Sequence, residues 1–558
     1  MQTFTPFKIP YTPDKRFGKK VAYFSMEFAI DQALKIYSGG LGYLAGSHMR
    51  SAFQLKQNLV GIGILWKYGY YDQVRKGNGE MDVLRRERFY NFLTDTGIIF
   101  DINVNRAPVK VKAFYLAPEV FGSAPMFLLS TDLPENDWLA QTISHHLYDS
   151  NTEAKVAQYI LLGKGGAKLL DLLGWEPDVY HFNEAHAMPA AFHLYEKFRD
   201  LDEVRERIVF TTHTPVEAGN EKHELTLLDH MSFFGDLTLP EVRNIAGVSD
   251  QTFNQTLAGL RMARIANGVS KMHGEVARQM WGEYEGISPI THVTNSQNHL
   301  YWHDPELDRA GQKASGSEDL KARKRSLKQN LFRIVADQTG KIFDPDTLTI
   351  VWARRFARYK RADLITRDAG RFEALLSHTE RPVQIIWAGK PYPTDHDAVE
   401  IFNHLVHLSN EHPNMAVLTG YELGLSKALK QGSDIWLNTP RITREASGTS
   451  GMTAAMNGSV NLSIPDGWVP EFGQHGRNAF VLPAVDSTLS GEEQDRIDLE
   501  NLYRVLEEEV LPRYYAPDGS WWKLVRQSMQ DIRPFFDADR MAREYYEVMY
   551  GVWATIPL

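Results

Sequence analysis

The chain has 558 residues, 43% of them apolar and 23% charged, a globular balance that excludes a mainly disordered protein. Lys+Arg 61 against Asp+Glu 70 leaves a net charge of −9, which argues against nucleic-acid or anionic-membrane binding driven by overall charge. The absence of cysteine excludes a disulfide scaffold, thiolate metal sites and a cysteine nucleophile.

At roughly 150 residues per domain the length suits three or four units, and two α/β domains of about 200–300 residues fit as well. Met1 to Pro6 lacks the basic-then-apolar layout of a signal peptide, and no run approaches the roughly 20 apolar residues that span a bilayer. The expectation is a cytoplasmic protein with no membrane and no nucleic-acid partner.

In chain order, short apolar strands alternate with longer helical patterns, the signature of parallel α/β sheets. The first series of strands is Val21 to Phe24, Val60 to Ile64, Val179 to Phe182 and Ile208 to Phe210. The apolar spacing of Thr152 to Leu173 predicts a helix between the second and third. A break follows at Trp302 to Pro305 and Gly311 to Ser317, then a charged helix over Glu318 to Asp337. The second series is Leu348 to Trp352, Val383 to Trp387, Met415 to Leu418 and Asp434 to Leu437, with a helix over Ala398 to Ser409. Asn501 to Trp553 reads as helical and aromatic-rich. Loops just after strand ends, where open α/β sheets bind ligands, include His213-Thr214-Pro215, Arg354-Arg355, Gly389-Lys390 and Asn438-Thr439-Pro440.

Three segments carry chemistry. In Tyr37-Ser38-Gly39-Gly40-Leu41-Gly42, paired glycines before a helix let the backbone approach an anion, or form only a tight turn. Arg354 to Arg361 holds five cations in eight residues, which repel one another unless an anion or several carboxylates neutralise them. Forked Arg donors with a Lys point charge suit a phosphate, and a basic α-helix start is disfavoured by the helix dipole. Arg444 to Gly458 is a small-residue loop running into an Ala/Met helix, either a ligand loop or a helix cap, with Glu445 placed to accept from a sugar hydroxyl. His181, Glu184 and His186 lack zinc spacing, so no metal is expected. Asp344-Pro345-Asp346 reads as a turn, and most of the twelve tryptophans as core.

Together with Tyr23 to Phe28, Ile36 to Ala45, His181 to His186, Thr212 to Gly219, Asn267 to Ser270 and Trp436 to Pro440, these segments resemble the α-glucan (glycogen/maltodextrin) phosphorylase family in its short bacterial and archaeal form. The resemblance implies the glycosyltransferase B fold, two Rossmann-like α/β domains facing across a cleft. The expected domains are 1–317, 318–535, and a helix over 536–558 packing back on the first. It implies retaining α-glucosyl transfer at the non-reducing end of an α-1,4-glucan. Arg355, Lys360, Glu445 and His213 match catalytic positions; Gly40, Leu41, Glu184, Asn438, Ser447 and Gly448 match substrate positions. Arg354 and Thr449 complete a phosphate set with Arg355 and Lys360, and Tyr421 matches a tyrosine beside the pyridine ring of the cofactor.

The departures are specific. The family's Schiff-base lysine for pyridoxal phosphate lies eight residues after the glutamate, where this chain has Thr453. Thr-Asn-Gly-Val-His becomes Thr294 to Asn298, with His299 one residue on, and Leu-Ala-Gly-Asp becomes Leu44 to Ser47. Three readings follow: a nucleotide-sugar donor in place of cofactor plus phosphate, non-covalent pyridoxal phosphate, or a catalytically inactive glucan-binding relative. The expectation is no covalent cofactor. The expected partners are maltodextrin with phosphate, glucose 1-phosphate or a nucleotide sugar, and the assembly admits a homodimer.

Overall fold

The computed structural model describes residues 4–313 and 317–551. Parts of three sequence expectations therefore lie outside the described residues: the start of the amino terminus, 314–316 of the polar break, and 552–558 of the final helix. The protein is α/β, and its chain divides into two compact units. One comprises the residues up to Tyr70, Arg85–Asn295 and those from Ala538 onward; the other comprises Tyr71–Leu84 and Ser296–Asp537.

The first unit is built on a nine-stranded sheet. Its order is Ile290–His292, Ile265–Gly268, Ile208–Thr211, Val179–Asn183, Val21–Phe24, Leu59–Ile64, Met126–Ser130, Ala107–Leu116 and Thr94–Val104. The first seven run parallel, and Ala107–Leu116 pairs antiparallel with both Met126–Ser130 and Thr94–Val104. Val21–Phe24 and Leu59–Ile64 are buried at every position, as strands covered on both faces must be. The helix expected over 152–173 exists as Thr152–Ile160 and Gly166–Leu172, joined by a π-helical turn at Leu161–Gly165. A Cβ on Gly163 in that turn would come within 2.7 Å of the Ala187 carbonyl, so glycine allows the following helix to pack there.

The second unit has six parallel strands in the order Met415–Leu418, Val383–Ala388, Leu348–Ala353, Ile435–Asn438, Val460–Ser463 and Phe480–Val481. The charged helix runs over Glu318–Thr339 and buries Leu320, Leu327, Leu331, Phe332 and Val335. Asp344 to Asp346 is a turn: the Asp344 carbonyl accepts from Thr347 N (3.2 Å) and its side chain from Asp346 N (2.9 Å).

Long-range pairing moves the boundaries expected at 317/318 and 535/536. The first falls at Asn295/Ser296, because Arg323 holds Asp304 through two bonds (2.9 and 2.7 Å) and Asn457 accepts from Asp304 N, tying 296–313 to the second unit. The segment Tyr71–Leu84, expected in the first domain, is a hairpin of the second unit. Tyr71 donates to Pro391 O (2.7 Å), Gln73 donates to Gly389 O (3.0 Å) and accepts from Gly420 N (3.2 Å). From Ala538 the chain packs in the first unit: Tyr550 OH meets His181 Nδ1 at 2.6 Å and Gln57 donates to Ala542 O at 2.9 Å.

Candidate functional site

Each sheet has a switch point near its centre, where successive parallel strands are added in opposite directions, and ligands of open α/β sheets bind beyond the carboxyl ends at such a point. In the first unit the switch point lies between Val21–Phe24 and Val179–Asn183. Asn183 closes the second of these strands and donates to Ser25 Oγ (3.2 Å) beyond the end of the first. Its Oδ1 meets His213 Nε2 at 2.7 Å, which assigns the ring proton to Nε2 and leaves Nδ1 an acceptor. Burial holds the His213 pKa down at about 3, so the ring is neutral at pH 7.

Glu184, the next residue after Asn183, has φ 75° and ψ 170°, a region that only glycine enters without strain. Its carboxyl holds it there by accepting from His213 N (2.7 Å), Thr214 Oγ1 (3.3 Å) and Ala185 N (3.2 Å). Burial raises this carboxyl to about 7, against the pull of those donors.

Gly40 and Leu41 open the helix Gly40–Gln54. A Cβ at Gly39 or Gly40 would meet nothing within 4 Å, so the space beside this backbone is open. Part of the loop is already committed. The buried Glu27 accepts from Ser38 N (2.6 Å), Gly39 N (3.0 Å) and Tyr148 OH (2.9 Å), and a side chain at position 42 would strike its Oε2 at 2.6 Å. Glu27 thus acts as an internal anion at the helix start. It lies within the matched Tyr23 to Phe28 run, but nothing local in that run marks it as the loop's partner.

In the second unit the switch point lies between Leu348–Ala353 and Ile435–Asn438. Arg354 follows the first strand and Asn438 ends the second, and Arg354 Nη2 donates to Asn438 Oδ1. The same guanidinium donates to Glu445 Oε2 (3.2 Å) and Ser450 Oγ (3.2 Å). Lys360 Nζ donates to the same Glu445 oxygen at 2.7 Å. Burial alone would raise the Glu445 carboxyl; Lys360, Arg354 and Arg355 outweigh it and hold it below its ordinary value. Arg355 is exposed.

The cation run is divided among carboxylates. Arg361 is fully buried and bonds Asp498 (2.7 Å), Asp495 (2.8 Å) and the carbonyls of Thr439 and Pro440. Arg358 pairs with Asp397 at 3.5 Å. No α-helix starts here; the run is a loop with one 3-10 turn at Arg358–Lys360, so the helix-dipole argument from sequence does not apply.

Around this cluster, Gly448 adopts φ +84°, while Ser447 is buried with its Oγ unpartnered among the described residues. Thr449 precedes the helix Ser450–Met456. Thr453, inside that helix, is fully buried and donates its hydroxyl to Ser450 O at 3.0 Å. Tyr421 donates to Ala353 O (3.2 Å), and burial pushes its phenol up to about 12.

One residue missed in the sequence is Asp466, only 2% exposed, which accepts from the backbone of Arg444 (3.1 Å), Glu445 (2.9 Å) and Gly467 (2.9 Å). Ile464-Pro465-Asp466-Gly467 reads as an ordinary turn, which is why pattern alone passes over it.

His181 spends both ring nitrogens on Tyr550 (2.6 Å) and Thr211 (2.7 Å). His299, His303 and Asp308 lie close together, but the two rings stack 4.3 Å apart at 11°. Parallel rings do not aim their in-plane lone pairs at one point. Asp308 also accepts from Gln312 (2.7 Å) and pairs with Arg533 (3.5 Å).

Two mainly parallel sheets with polar side chains gathered at their switch points define an α/β protein of the doubly wound class. The carbohydrate phosphorylase family matches residues 297–481, all in the second unit. A maltodextrin phosphorylase of Thermococcus litoralis is 34% identical, covering 96% of this chain and 71% of that protein. A glycogen phosphorylase of Mycobacterium tuberculosis is 32% identical over 95% of this chain and 70% of its own length. An uncharacterized protein of Methanocaldococcus jannaschii is 45% identical over 95% of this chain and all of its own. The chain belongs to the carbohydrate phosphorylase family, with the glycogen and maltodextrin phosphorylases. Among the described residues no helix is long and apolar enough to cross a membrane.

Proposed function

We propose that the protein is a retaining α-glucosyltransferase of the α-glucan phosphorylase type. It moves glucosyl units between a phosphate-activated donor, glucose 1-phosphate or a nucleotide sugar, and the non-reducing end of an α-1,4-glucan. The observation that carries this reading is the buried constellation at the second switch point, where Lys360 (2.7 Å) and Arg354 (3.2 Å) converge on one oxygen of Glu445. Two cations that hold a carboxylate at this spacing offer the donors a phosphate needs.

In the direction of breakdown, the C1–O4 glycosidic bond breaks and a C1–O bond to phosphate forms on the same face. The phosphate proton passes to the departing 4-hydroxyl. Lys360 and Arg355 stabilise the charge on that phosphate, with Arg354 and Thr449 beside them, a preorganised contribution of several kcal/mol. Once phosphate takes its place on Lys360, Glu445 turns to a sugar hydroxyl, and Asn438, Ser447 and Gly448 border the same sugar. Within the first unit, the open backbone at Gly40 and Leu41, Glu184 and the neutral His213 are assigned to sugar binding by their match to the family's positions.

The reaction is proposed to run without covalent pyridoxal phosphate. Thr453 supports this: its side chain has a hydroxyl committed to Ser450 O and no amine to form an imine. Residue 453 therefore does not fit the family's covalent attachment of the cofactor at this position. The same residue favours one alternative, a catalytically inactive relative that binds glucan. Incubation with maltodextrin and inorganic phosphate decides between them. Release of glucose 1-phosphate is expected; binding of maltodextrin without turnover, with phosphate, ADP-glucose and UDP-glucose each supplied, would establish the inactive relative.

A further inference from the structure

We propose that Asp466 is a positioning residue: its buried carboxylate gathers the backbone N–H groups of the loop that carries Glu445 and so sets the Glu445 side chain on Lys360. The inference rests on the proposed function above, for which it names the part that fixes the sugar- and phosphate-facing loop.

Asp466 Oδ2 accepts from Arg444 N (3.1 Å) and Glu445 N (2.9 Å), and Oδ1 accepts from Gly467 N (2.9 Å). The backbone of Thr443 also favours the charged form of this carboxyl. Thr443 has φ +67°, a left-handed backbone that a β-branched residue adopts only where its surroundings force it. The Asp466 segment supplies that force from a second side. Trp468 N donates to Ser447 O at 3.0 Å, and Gly467, at φ +60°, lies so close that a Cβ would stand 2.3 Å from the same carbonyl. Loop 443–448 is therefore fastened at both ends to 466–468, with Glu445 between the fastenings. Among the described residues every donor to Asp466 is a backbone N–H, so its charge serves the loop rather than a salt bridge.

Burial, together with the charge of Glu445 nearby, raises the Asp466 carboxyl to about 6, against the pull of the N–H donors. Glu445 is the charged group that bears on it directly, and Glu445 in turn pairs with Lys360 and Arg354.

The test is a double-mutant cycle read by calorimetric titration of the full chain with inorganic phosphate at pH 7.5. In the wild type, phosphate must displace Glu445 from Lys360. Glu445→Gln is expected to bind phosphate about tenfold or more tightly, the worth of one charge-assisted bond. Asp466→Asn is expected to shift affinity in the same direction, and Asp466→Asn added to Glu445→Gln to change nothing further. If Asp466→Asn matches the wild type, or its effect is as large in the Glu445→Gln background, Asp466 does not act through Glu445 and the inference is overturned.

Absence of phosphate binding in both wild type and Glu445→Gln would instead bring down the proposed function, and the inference with it. Should Asp466→Asn fail to fold, wild type and Glu445→Gln are titrated from about pH 5 to 7.5, where the ionisation of phosphate itself cancels between them. The gap in affinity is expected to narrow as Asp466 protonates near pH 6. A constant gap would refute the inference.

Discussion

Replacing Lys360 by Met separates the stability of the Lys360–Glu445–Arg354 cluster from its proposed phosphate chemistry. Lys360 Nζ lies 2.7 Å from Glu445 Oε2, and Arg354 reaches the same oxygen at 3.2 Å. The substitution removes one charge-assisted hydrogen bond, about 1.5–3 kcal/mol. It leaves Glu445 paired with Arg354, so the cost stays below the roughly 3–5 kcal/mol of an orphaned buried charge. Without Lys360, burial weighs more heavily and the Glu445 carboxyl rises. The sign follows from linkage: a depressed carboxyl contributes stability above its ordinary pKa that is lost as pH falls through the folded value. In Lys360→Met that acid-side loss is smaller: it begins at the same ordinary carboxylate pKa and is complete at a higher pH.

The effect expected on catalysis, if Lys360 acts as proposed, is separate and larger. A preorganised donor to charge developing in the transition state is worth about 10²–10³ in kcat. Denaturant unfolding measures the first effect, and initial rates of glucose 1-phosphate release from maltodextrin measure the second. Lys360→Arg keeps the charge but changes its reach and hydrogen-bond geometry, and should recover only part of the rate. A folded Lys360→Met protein with unchanged rates on every donor would refute the assignment of the clamp.

Four further outcomes are expected. Gly467→Ala places a Cβ 2.3 Å from Ser447 O at a backbone with φ +60°, and should lower stability by more than about 2 kcal/mol in thermal unfolding, since left-handed backbone alone costs roughly 1–2. Arg361→Met leaves Asp498 buried without its cation and should cost about 3–5 kcal/mol, measured by urea unfolding. Glu184 has a carboxyl raised from 4.5 to about 7, so the fold favours its protonated form: that stability is complete below about pH 4.5 and lost as pH rises through 7. The loss is up to about 3 kcal/mol, less for a half-buried group, and Glu184→Gln should flatten the unfolding profile across this window. Borohydride treatment of the purified chain should add no pyridoxyl mass, and a reduced adduct on any lysine would overturn the proposal of a reaction without a covalent cofactor.

How much was legible beforehand differs by element. The strand Leu348–Ala353 and the helix Glu318–Thr339 announce themselves, because burial on both faces or on one stripe imposes a local pattern. The positions of Arg354 and Asn438 just after strand ends were equally visible, and the structure brings these two side chains into contact. The hairpin Tyr71–Leu84 could not be assigned to its unit from sequence, since its partners Gly389 and Gly420 lie more than three hundred residues away. Asp466 was hidden differently, because Pro-Asp-Gly spells a turn whatever its carboxylate does.

By itself the sequence determined the α/β class, the clustering of cations after one strand, and the replacement of an amine by a hydroxyl at position 453. These are matters of residue type and short-range period, which chain order preserves. Only the tertiary structure decided which carboxylate each cation meets: Glu445 for Arg354 and Lys360, Asp495 and Asp498 for Arg361, Asp397 for Arg358. It also decided that Glu27 takes the first amides of the glycine loop and that Asp466 fastens the loop of Glu445. Charge pairing acts through space at a few ångströms, and nothing in the local pattern of a chain records which distant residue the fold will bring that close.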